Sequence, residues 1–391
     1  MSEALDPHAK EPPGRCYPPA VLLRSLLATA LASSSALSGE QAKADPKSSN
    51  LADDEELRLF PALAYPHAQG WEVHIRAWVY EPELHSWWRA IALRGLRRAL
   101  GLPRGSESST IFLARAQPFL ADNERGKRVV LEIAGERYAL PPTAANGHRQ
   151  APIRVPREAL TAPMTPARAI LRPGDPRSFV GSVLRLDPGG VCVISDIDDT
   201  VKISEVRDLE ALLANTFLRP FAPVPGIATA YRGWAEQGAA FHYVSASPWH
   251  LYDPLRQFFA DADLPLGSFH LKDFRWVDRS FLSLFQDPRD YKLRAIEPLL
   301  DAAPGRSVVL VGDSGEADPE AYAELYRRHP AQVLHIFIRD VSGETPEAAR
   351  YLRAFDGVPP ARWTIFRDAA TLPRSLPAAP TTTGSAAERP K

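Results

Sequence analysis

The chain has little cysteine, no long apolar run and almost no net charge, and each shortage argues against a class of protein. Its 391 residues include two cysteines, Cys16 and Cys192. Cys16 falls in a loosely patterned leader and Cys192 inside a predicted buried strand, which argues against a disulfide framework and is compatible with a reducing compartment. The formal net charge is −1, so no global field draws the chain to nucleic acid. No run of about 18 uncharged apolar residues is present, and no spanning helix is predicted. Residues 20–37 look like a signal core followed by small residues. Arg24 interrupts that core, however, and Glu3, Asp6 and Glu11 precede it, where a secretory signal carries basic residues. Residues 1–50 are read as a leader or disordered segment of a cytoplasmic protein. Residues 20–37 leave a secreted or periplasmic location open.

What is present is concentrated at residues 191–200, Val-Cys-Val-Ile-Ser-Asp-Ile-Asp-Asp-Thr. Val191 to Ile194 has the short, continuous apolar pattern of a buried parallel strand. In open α/β sheets, ligands bind just beyond the carboxyl ends of such strands. Asp196, Asp198 and Thr200 should therefore project together into a crevice. Carboxylates about 4 Å apart repel by roughly 4 kcal/mol at an effective dielectric near 20, so the cluster calls for a bound cation or a shared proton. Taken alone, the motif also fits an Asp-rich turn capping the next helix.

Three later segments extend the pattern. Residues 308–318 place Gly312, Asp313 and Asp318 after an apolar strand, and Phe241 to Val244 is a strand ending in Ser245-Ala-Ser-Pro248. Lys292 opens the amphipathic segment Tyr291 to Leu300. Asp-x-Asp-x-Thr, a strand-terminal Ser, an isolated Lys and Gly-Asp-x4-Asp, in that order, resemble the four motifs of the haloacid dehalogenase superfamily of phosphatases. The wording between them narrows the resemblance: Pro223-Val-Pro-Gly226, Tyr243 to Trp249 with Leu251-Tyr252, Gly267-Ser-Phe269 with Leu271 to Phe274, and Gly312-Asp-Ser-Gly315 with Asp318-Pro319. These resemble the catalytic domain of Mg-dependent phosphatidate phosphatases of the actin-patch-protein type. Phe60-Pro61, Trp71 to Pro82 and Pro118 to Gly126 resemble that family's amino-terminal portion, so the likeness runs from about residue 55 to 370.

From Val191 onward strands alternate with helices. Helices are predicted at Glu205–Phe217, Gly226–Gln237, Leu251–Ala260, Tyr291–Ala302 and Glu320–Arg328, and strands at Phe241–Val244, Val308–Val311, Val333–Ile338 and, at an edge, Trp363–Phe366. The expected fold is α/β: a haloacid-dehalogenase-like parallel sheet with flanking helices over residues 188–371. Residues 51–187 should form a smaller, mainly-β, sandwich-like domain, with strands at Trp71–Tyr80, Val129–Leu140 (turning at Gly135-Glu136), Arg154-Val155 and Phe179–Leu186. Within it, Ser86–Leu100 reads as a basic amphipathic helix. Trp87, Ile91, Arg94 and Arg98, with Arg89 and Arg97, suit an anionic membrane surface; the stripe Trp88, Ala92, Leu96 and Leu100 suits docking on the β-domain. Phe269–Asp290 is read as a cover over the site, and residues 372–391 as a disordered tail.

The resemblance implies roles for particular residues. Asp196 is the nucleophile, passing through an aspartyl-phosphate, and Asp198 is the general acid and then the base, a role favoured by a pKa raised through crowding. Thr200 orients Asp198, while Ser245 and Lys292 hold phosphoryl oxygens. Lys272 also follows a predicted strand and competes with Lys292 for that role; the helical setting favours Lys292. Mg²⁺ is held by the side chains of Asp196 and Asp313, by the Asp198 carbonyl, and by Asp318 directly or from behind the other ligands. His242 and His335 alternate with apolar neighbours and are read as sheet residues; His250, Trp249 and Tyr252 are candidate substrate contacts. The implied reaction is hydrolysis of phosphatidic acid to diacylglycerol and phosphate in lipid metabolism, with an anionic membrane surface as partner and no nucleic acid. The same residues would serve a soluble phosphomonoester such as a sugar phosphate or nucleotide. A non-catalytic phosphatidic-acid-binding module is the third reading, and the presence of Asp196, Asp198, Thr200, Asp313 and Lys292 argues against it.

Overall fold

The computed structural model describes residues 47–82, 87–106, 109–273 and 288–377. The leader at 1–46, residues 274–287 of the expected cover and the tail beyond 377 lie outside the described residues, as do the side chains of Trp87, Trp88 and Arg89. Among the described residues the amino-terminal part contributes nine strands: β1 (Glu56–Leu59), β2 (Ala62–His67), β3 (Gly70–Glu81), β4 (Asp122–Asn123), β5 (Val130–Ile133), β6 (Glu136–Ala139), β7 (His148–Pro156), β8 (Met164–Ala169) and β9 (Val180–Arg185). They form one sheet in the order β1-β3-β2-β9-β8-β5-β6, with β4 and β7 also on β3. The expected mainly-β region is therefore present, but its form differs from two stacked sheets. The 12-residue β3 hydrogen-bonds to four strands and joins them into a single sheet wrapped around one core, in which Val73, Ile75, Leu131, Ile153 and Val183 meet.

The β5–β6 hairpin turns at Ala134-Gly135, one residue earlier than expected. Both have positive φ (52° and 84°), as a two-residue hairpin loop needs, and Glu136 already pairs with Ile133. The sequence reading misses β2 and β8 because Pro66 and Pro166 interrupt them and alanine replaces the β-branched residues that mark strands.

Two helices follow β3. In α1 (Trp87–Ala99), Leu96 of the expected docking stripe is buried, as is Leu100 just beyond, while Ala92 is half-buried; Leu93, outside that stripe, is buried too. Ile91, Arg94 and Arg98 are exposed. Arg97 is buried and donates to the carbonyl of Leu102 at 2.7 Å, so it does not join the basic face. The second helix is α2 (Thr110–Ala116), capped by Ser109.

From β10 (Val191–Asp196) the chain builds the expected parallel sheet with β11 (Ala240–Pro248), β12 (Gly267–Lys272), β13 (Ser307–Asp313), β14 (Val333–Arg339) and β15 (Trp363–Phe366). Their order is β12-β11-β10-β13-β14-β15, and every pair is parallel. Helices α3 (Leu209–Phe217), α4 (Ile227–Glu236), α5 (Tyr252–Asp261), α6 (Pro288–Ala302), α7 (Asp318–Arg328) and α8 (Ala349–Ala354) flank it. The chain leaves β10 for β11 on one side and returns to β13 on the other. The carboxyl end of β10 is thus a topological switch point, where α/β sheets hold their ligands.

Two expectations change here. Residues 267–272 are the edge strand β12, the strand expected before Lys272, so residues 269–272 of the expected cover belong to the sheet. Helix α3 begins at Leu209, four residues later than expected. The carboxylate of Asp199 takes the N–H groups of Ser204, Glu205 and Val206 (2.8, 2.9 and 2.7 Å), and Glu205 has a φ of 60°, so this stretch is turn until Asp208 caps the helix. No helix among the described residues is long and apolar enough to cross a membrane.

Ile336 lies in the middle of β14, fully buried and away from the strand ends. Ile336→Ala should cost about 2 to 5 kcal/mol of stability, read by urea unfolding, and leave turnover per folded molecule unchanged.

Candidate active site

Asp196 ends β10 and Asp313 ends β13, while Asp318 opens α7. All three are buried, and one carboxylate oxygen from each lies within 4.8 Å of the others. Lys292, fully buried on α6, reaches into the group. Its Nζ bonds Asp196 Oδ1 and lies 2.7 Å from Asp318 Oδ1 and 3.6 Å from Glu316 Oε2. The Asp313 N–H donates to Asp318 Oδ2 at 3.2 Å, and Asp313 Oδ1 accepts from the Gly315 N–H at 2.6 Å.

Four carboxyls therefore face one ammonium group in a water-poor setting. Burial raises Asp196 well above the usual carboxylate range; Lys292 pulls it back, and Asp318, Glu316 and Asp198 push it up again. Burial, then Asp318 and Asp196, raise Asp313 in the same way. Glu316 is pushed up to about 7, by burial first. Lys292, which burial alone would discharge, is held well above its ordinary value by Asp196 and Asp318. Among the described residues, Asp196 Oδ2 and Asp313 Oδ2 are buried without a hydrogen-bond partner. An excess of buried carboxylate oxygen with unfilled acceptors fits a hard divalent cation such as Mg²⁺.

Asp198 stands apart from this group. Its Oδ1 accepts from Ser204 Oγ at 2.7 Å and pairs with Lys202 Nζ at 2.8 Å; its Oδ2 accepts from Ser245 Oγ at 2.7 Å and Ser247 Oγ at 3.0 Å. Burial would raise its pKa, but Lys202 and the hydroxyls of Ser245 and Ser204 outweigh that and hold it below the usual carboxylate range. This reverses the expected upward shift. Crowding by a neighbouring carboxylate is visible in the sequence, whereas a buried Lys and three hydroxyls converging from two strand ends are not.

The other sequence-derived residues sort by geometry. Thr200 is buried, but its Oγ1 has no hydrogen-bond partner among the described residues, so Asp198 is oriented by Lys202 and the serines instead. Ser245 bonds to Asp198 and accepts from the Ser247 N–H at 2.9 Å. Lys292 joins the cluster; Lys272 ends the edge strand, two strands away from β10. His242 bonds Ser268 Oγ at 2.8 Å within the sheet, and His335 lies 2.9 Å from Thr364 Oγ1. His250 stacks on Phe119 at 4.7 Å, and Trp249 packs on Phe60 at 4.5 Å, so both face the β-region. Lys202, Ser204, Ser247, Glu316 and the turn-forming Asp199 were missed. Their signal was position within the motifs: Lys202 is four residues after Asp198, and Glu316 lies between Asp313 and Asp318. A small crevice of about 10 Å³ beside Asp198 and Glu316 is lined by Val206, Leu212 and Thr216 and by Pro248 and Leu251.

Comparison with known proteins falls on this same segment. Residues 191–340 match the family described as phosphatidate phosphatase APP1, catalytic domain. An uncharacterised protein of Schizosaccharomyces pombe is 35% identical over 175 residues, covering 43% of this chain and 28% of that protein. Phosphatidate phosphatase APP1 of Saccharomyces cerevisiae is 32% identical over 169 residues, covering 42% of this chain and 28% of that protein. The chain thus spans little more than a quarter of the length of these relatives. A chain of the Pnkp1/Rnl/Hen1 complex is 18% identical, covering 38% of this chain and 46% of that one, with a TM-score of 0.29, too low to carry an argument. The resemblance read from the motifs holds for the segment bearing Asp196, Asp198, Ser245, Lys292, Asp313 and Asp318.

Gly312 is where this geometry leaves no room for a side chain. A Cβ there would lie 2.2 Å from Asp318 Oδ2 and 2.7 Å from Tyr322 Cε2. Gly312→Ala should displace Asp318 from the carboxylate cluster and, where that cluster holds a divalent cation, weaken its binding by about tenfold or more, read by titration calorimetry with the circular dichroism spectrum retained.

Proposed function

We propose that this chain is a Mg-dependent phosphatidate phosphatase that converts phosphatidic acid to diacylglycerol and phosphate through an aspartyl-phosphate on Asp196. One observation carries the reading: the catalytic-domain match falls on a buried carboxylate cluster with unfilled acceptors. Asp196, Asp313 and Asp318, with the Asp198 carbonyl, would hold Mg²⁺, which when bound supplies positive charge against the phosphoryl oxygens.

A carboxylate oxygen of Asp196 attacks phosphorus, and the bond to the glycerol oxygen breaks. Asp198 gives its proton to that departing alkoxide. In the second half, Asp198 takes a proton from water as the water oxygen attacks phosphorus, releasing phosphate and restoring Asp196. The ionised Asp198 of the resting site suits the second half. A phosphorylated substrate beside it adds negative charge, which favours the protonated form that the first half needs. Lys292, anchored between Asp196 and Asp318, stands where it would meet phosphoryl oxygens. Ser245 would help hold them only by exchanging its bond to Asp198.

Val206, Leu212, Pro248 and Leu251 place apolar surface beside Asp198 and Glu316, which supports an ester with an apolar body. The intact carboxylates and Lys292 favour turnover over a binding-only module. A cytoplasmic, peripheral seat on an anionic membrane belongs to the proposal and is supported by exposed Ile91, Arg94 and Arg98 on α1.

The deciding assay is phosphate release from phosphatidic acid in mixed micelles, beside a panel of soluble phosphomonoesters, with and without Mg²⁺. Release from the lipid should require Mg²⁺ and vanish in Asp196→Asn, while Asp198→Asn should fall by about 100-fold or more with folding retained. Release from soluble esters alone would discard the lipid assignment, and release from nothing, with folding intact, would favour the binding module. Replacing Arg94 and Arg98 together by Glu should weaken binding to vesicles containing phosphatidic acid by about tenfold or more, at roughly 1 kcal/mol per lost basic residue.

A further inference from the structure

Both sides of the crevice beside Asp198 and Glu316 lean on side chains that lie outside the catalytic-domain match. The first wall is α3, which contributes Leu212 and Thr216. Its carboxyl end is gathered by Arg115 of α2. One guanidinium nitrogen donates to the carbonyls of Asn215, Thr216 and Arg219, at 3.1, 2.8 and 2.8 Å. The last carbonyls of a helix have no partner within it, and a cation there also opposes the helix dipole. Arg115 is 6% exposed, and its guanidinium lies 3.5 Å above the ring of Phe221. Among the described residues no carboxylate pairs with it. A buried cation without an anion is costly, and what this one secures is the position of α3. Burial lowers its pKa to about 10, so it remains charged near neutrality. Phe112 and Phe119 pack on Phe217 at the end of α3, with ring centroids 6.4 and 5.9 Å from it.

The second wall, Pro248 and Leu251, is fixed from the same side. Phe119 stacks on His250 at 4.7 Å and Trp78 meets the same ring at 5.3 Å. Phe60 packs on Trp249 and Tyr252 at 4.5 and 4.9 Å, and the Arg76 guanidinium sits 4.3 Å from the Trp249 ring.

We infer that the amino-terminal part of the chain builds the mouth of the site, with Arg115 as a positioning residue that sets how the non-phosphate part of the ester is accepted. The inference rests on the phosphatase reading. Asp196, Asp313, Lys292 and Asp318 sit on β10, β13, α6 and α7, away from Arg115; Asp198, in the turn after β10, is tied to α3 through Ser204, whose carbonyl accepts from Asn215 Nδ2 at 3.1 Å. Displacing α3 should therefore change the acceptance of a large ester more than that of a small one.

The test compares phosphatidic acid with para-nitrophenyl phosphate, using the full chain carrying Arg115→Gln. kcat/KM for the lipid should fall by about tenfold to 100-fold relative to the small ester, the scale set by misplacing a substrate by about 1 Å, with most of the loss in KM and partial rescue by Arg115→Lys. Phe119→Leu, which keeps the cation and loosens both walls, should shift the ratio in the same direction if Arg115→Gln does not fold. Equal loss on both esters, or none, in a folded variant overturns the inference. If wild type hydrolyses only soluble esters, the phosphatidate reading fails, and the same ratio between a bulky and a small soluble ester still decides this one. Amide hydrogen exchange gives a readout independent of activity: it should quicken in α3 and stay unchanged in β13 and β14, and an unchanged α3 overturns the proposal.

Discussion

The surplus of buried negative charge around Lys292 is the constraint from which the rest of the site follows. Asp196, Asp313, Asp318 and Glu316 lie within reach of a single ammonium group that is itself sealed from water. Removing one such charge from water costs several kcal/mol even after relaxation, and a cluster of them is tolerable only with added protons or an added cation. The local structure keeps the carboxylates close. Gly312 has no side chain, so Asp318 can fold back against β13 and accept from the Asp313 N–H. The strand order brings β10 and β13 side by side, with Ser195 opposite Val311, so Asp196 and Asp313 end within one residue of each other along the sheet.

Asp198 completes the site by being treated in the opposite way. It is two residues from Asp196, yet Lys202 and three serine hydroxyls solvate it, while Asp196 is left with one lysine and an unfilled oxygen. Environments that push neighbouring carboxyls apart in pKa give them different tasks. The backbone makes this separation possible. Asp199 at φ 57° turns the chain sharply after Asp198, and its own carboxylate ties down the amides of residues 204–206. Lys202 and Ser204 are thereby returned to Asp198.

How much of this could be read in the sequence depended on whether the signal was local. The strand ends carrying Asp196, Ser245 and Asp313 were legible because a buried parallel strand is a continuous apolar run, and each motif follows its run directly. Lys292 was legible through the helical pattern around it. The arrangement of donors around Asp198 was not, because Ser204, Ser245 and Ser247 meet only when β10 and β11 pair. The strand before Lys272 was legible, but its overlap with the aromatic, polar stretch read as a cover left the start of that cover misplaced. The interrupted strand β2 and the late start of α3 depended on a proline and on a side-chain cradle that periodicity does not register.

The most consequential misreading concerned β3, whose alternation Trp71, Val73, Ile75, Ala77 and Val79 against Glu72, His74, Arg76 and Trp78 marked a strand with one wet face. The apolar set does form the core of the β-region. Much of the other face is dry as well: Trp78 belongs to the apolar cluster that contains Val193, Ile197 and Trp249, and Arg76 lies against Trp249. Alternation reports which residues differ in polarity, not what each face meets, and arginine and tryptophan serve an interface as well as a surface. The described residues accordingly fall in one compact unit, with apolar clusters that draw on both sheets. A boundary near residue 188 marks a change in architecture without separating two independent cores. The chemistry proposed for this chain is thus housed in one sheet, while the shape of the entrance to it is set by side chains from the other part of the molecule.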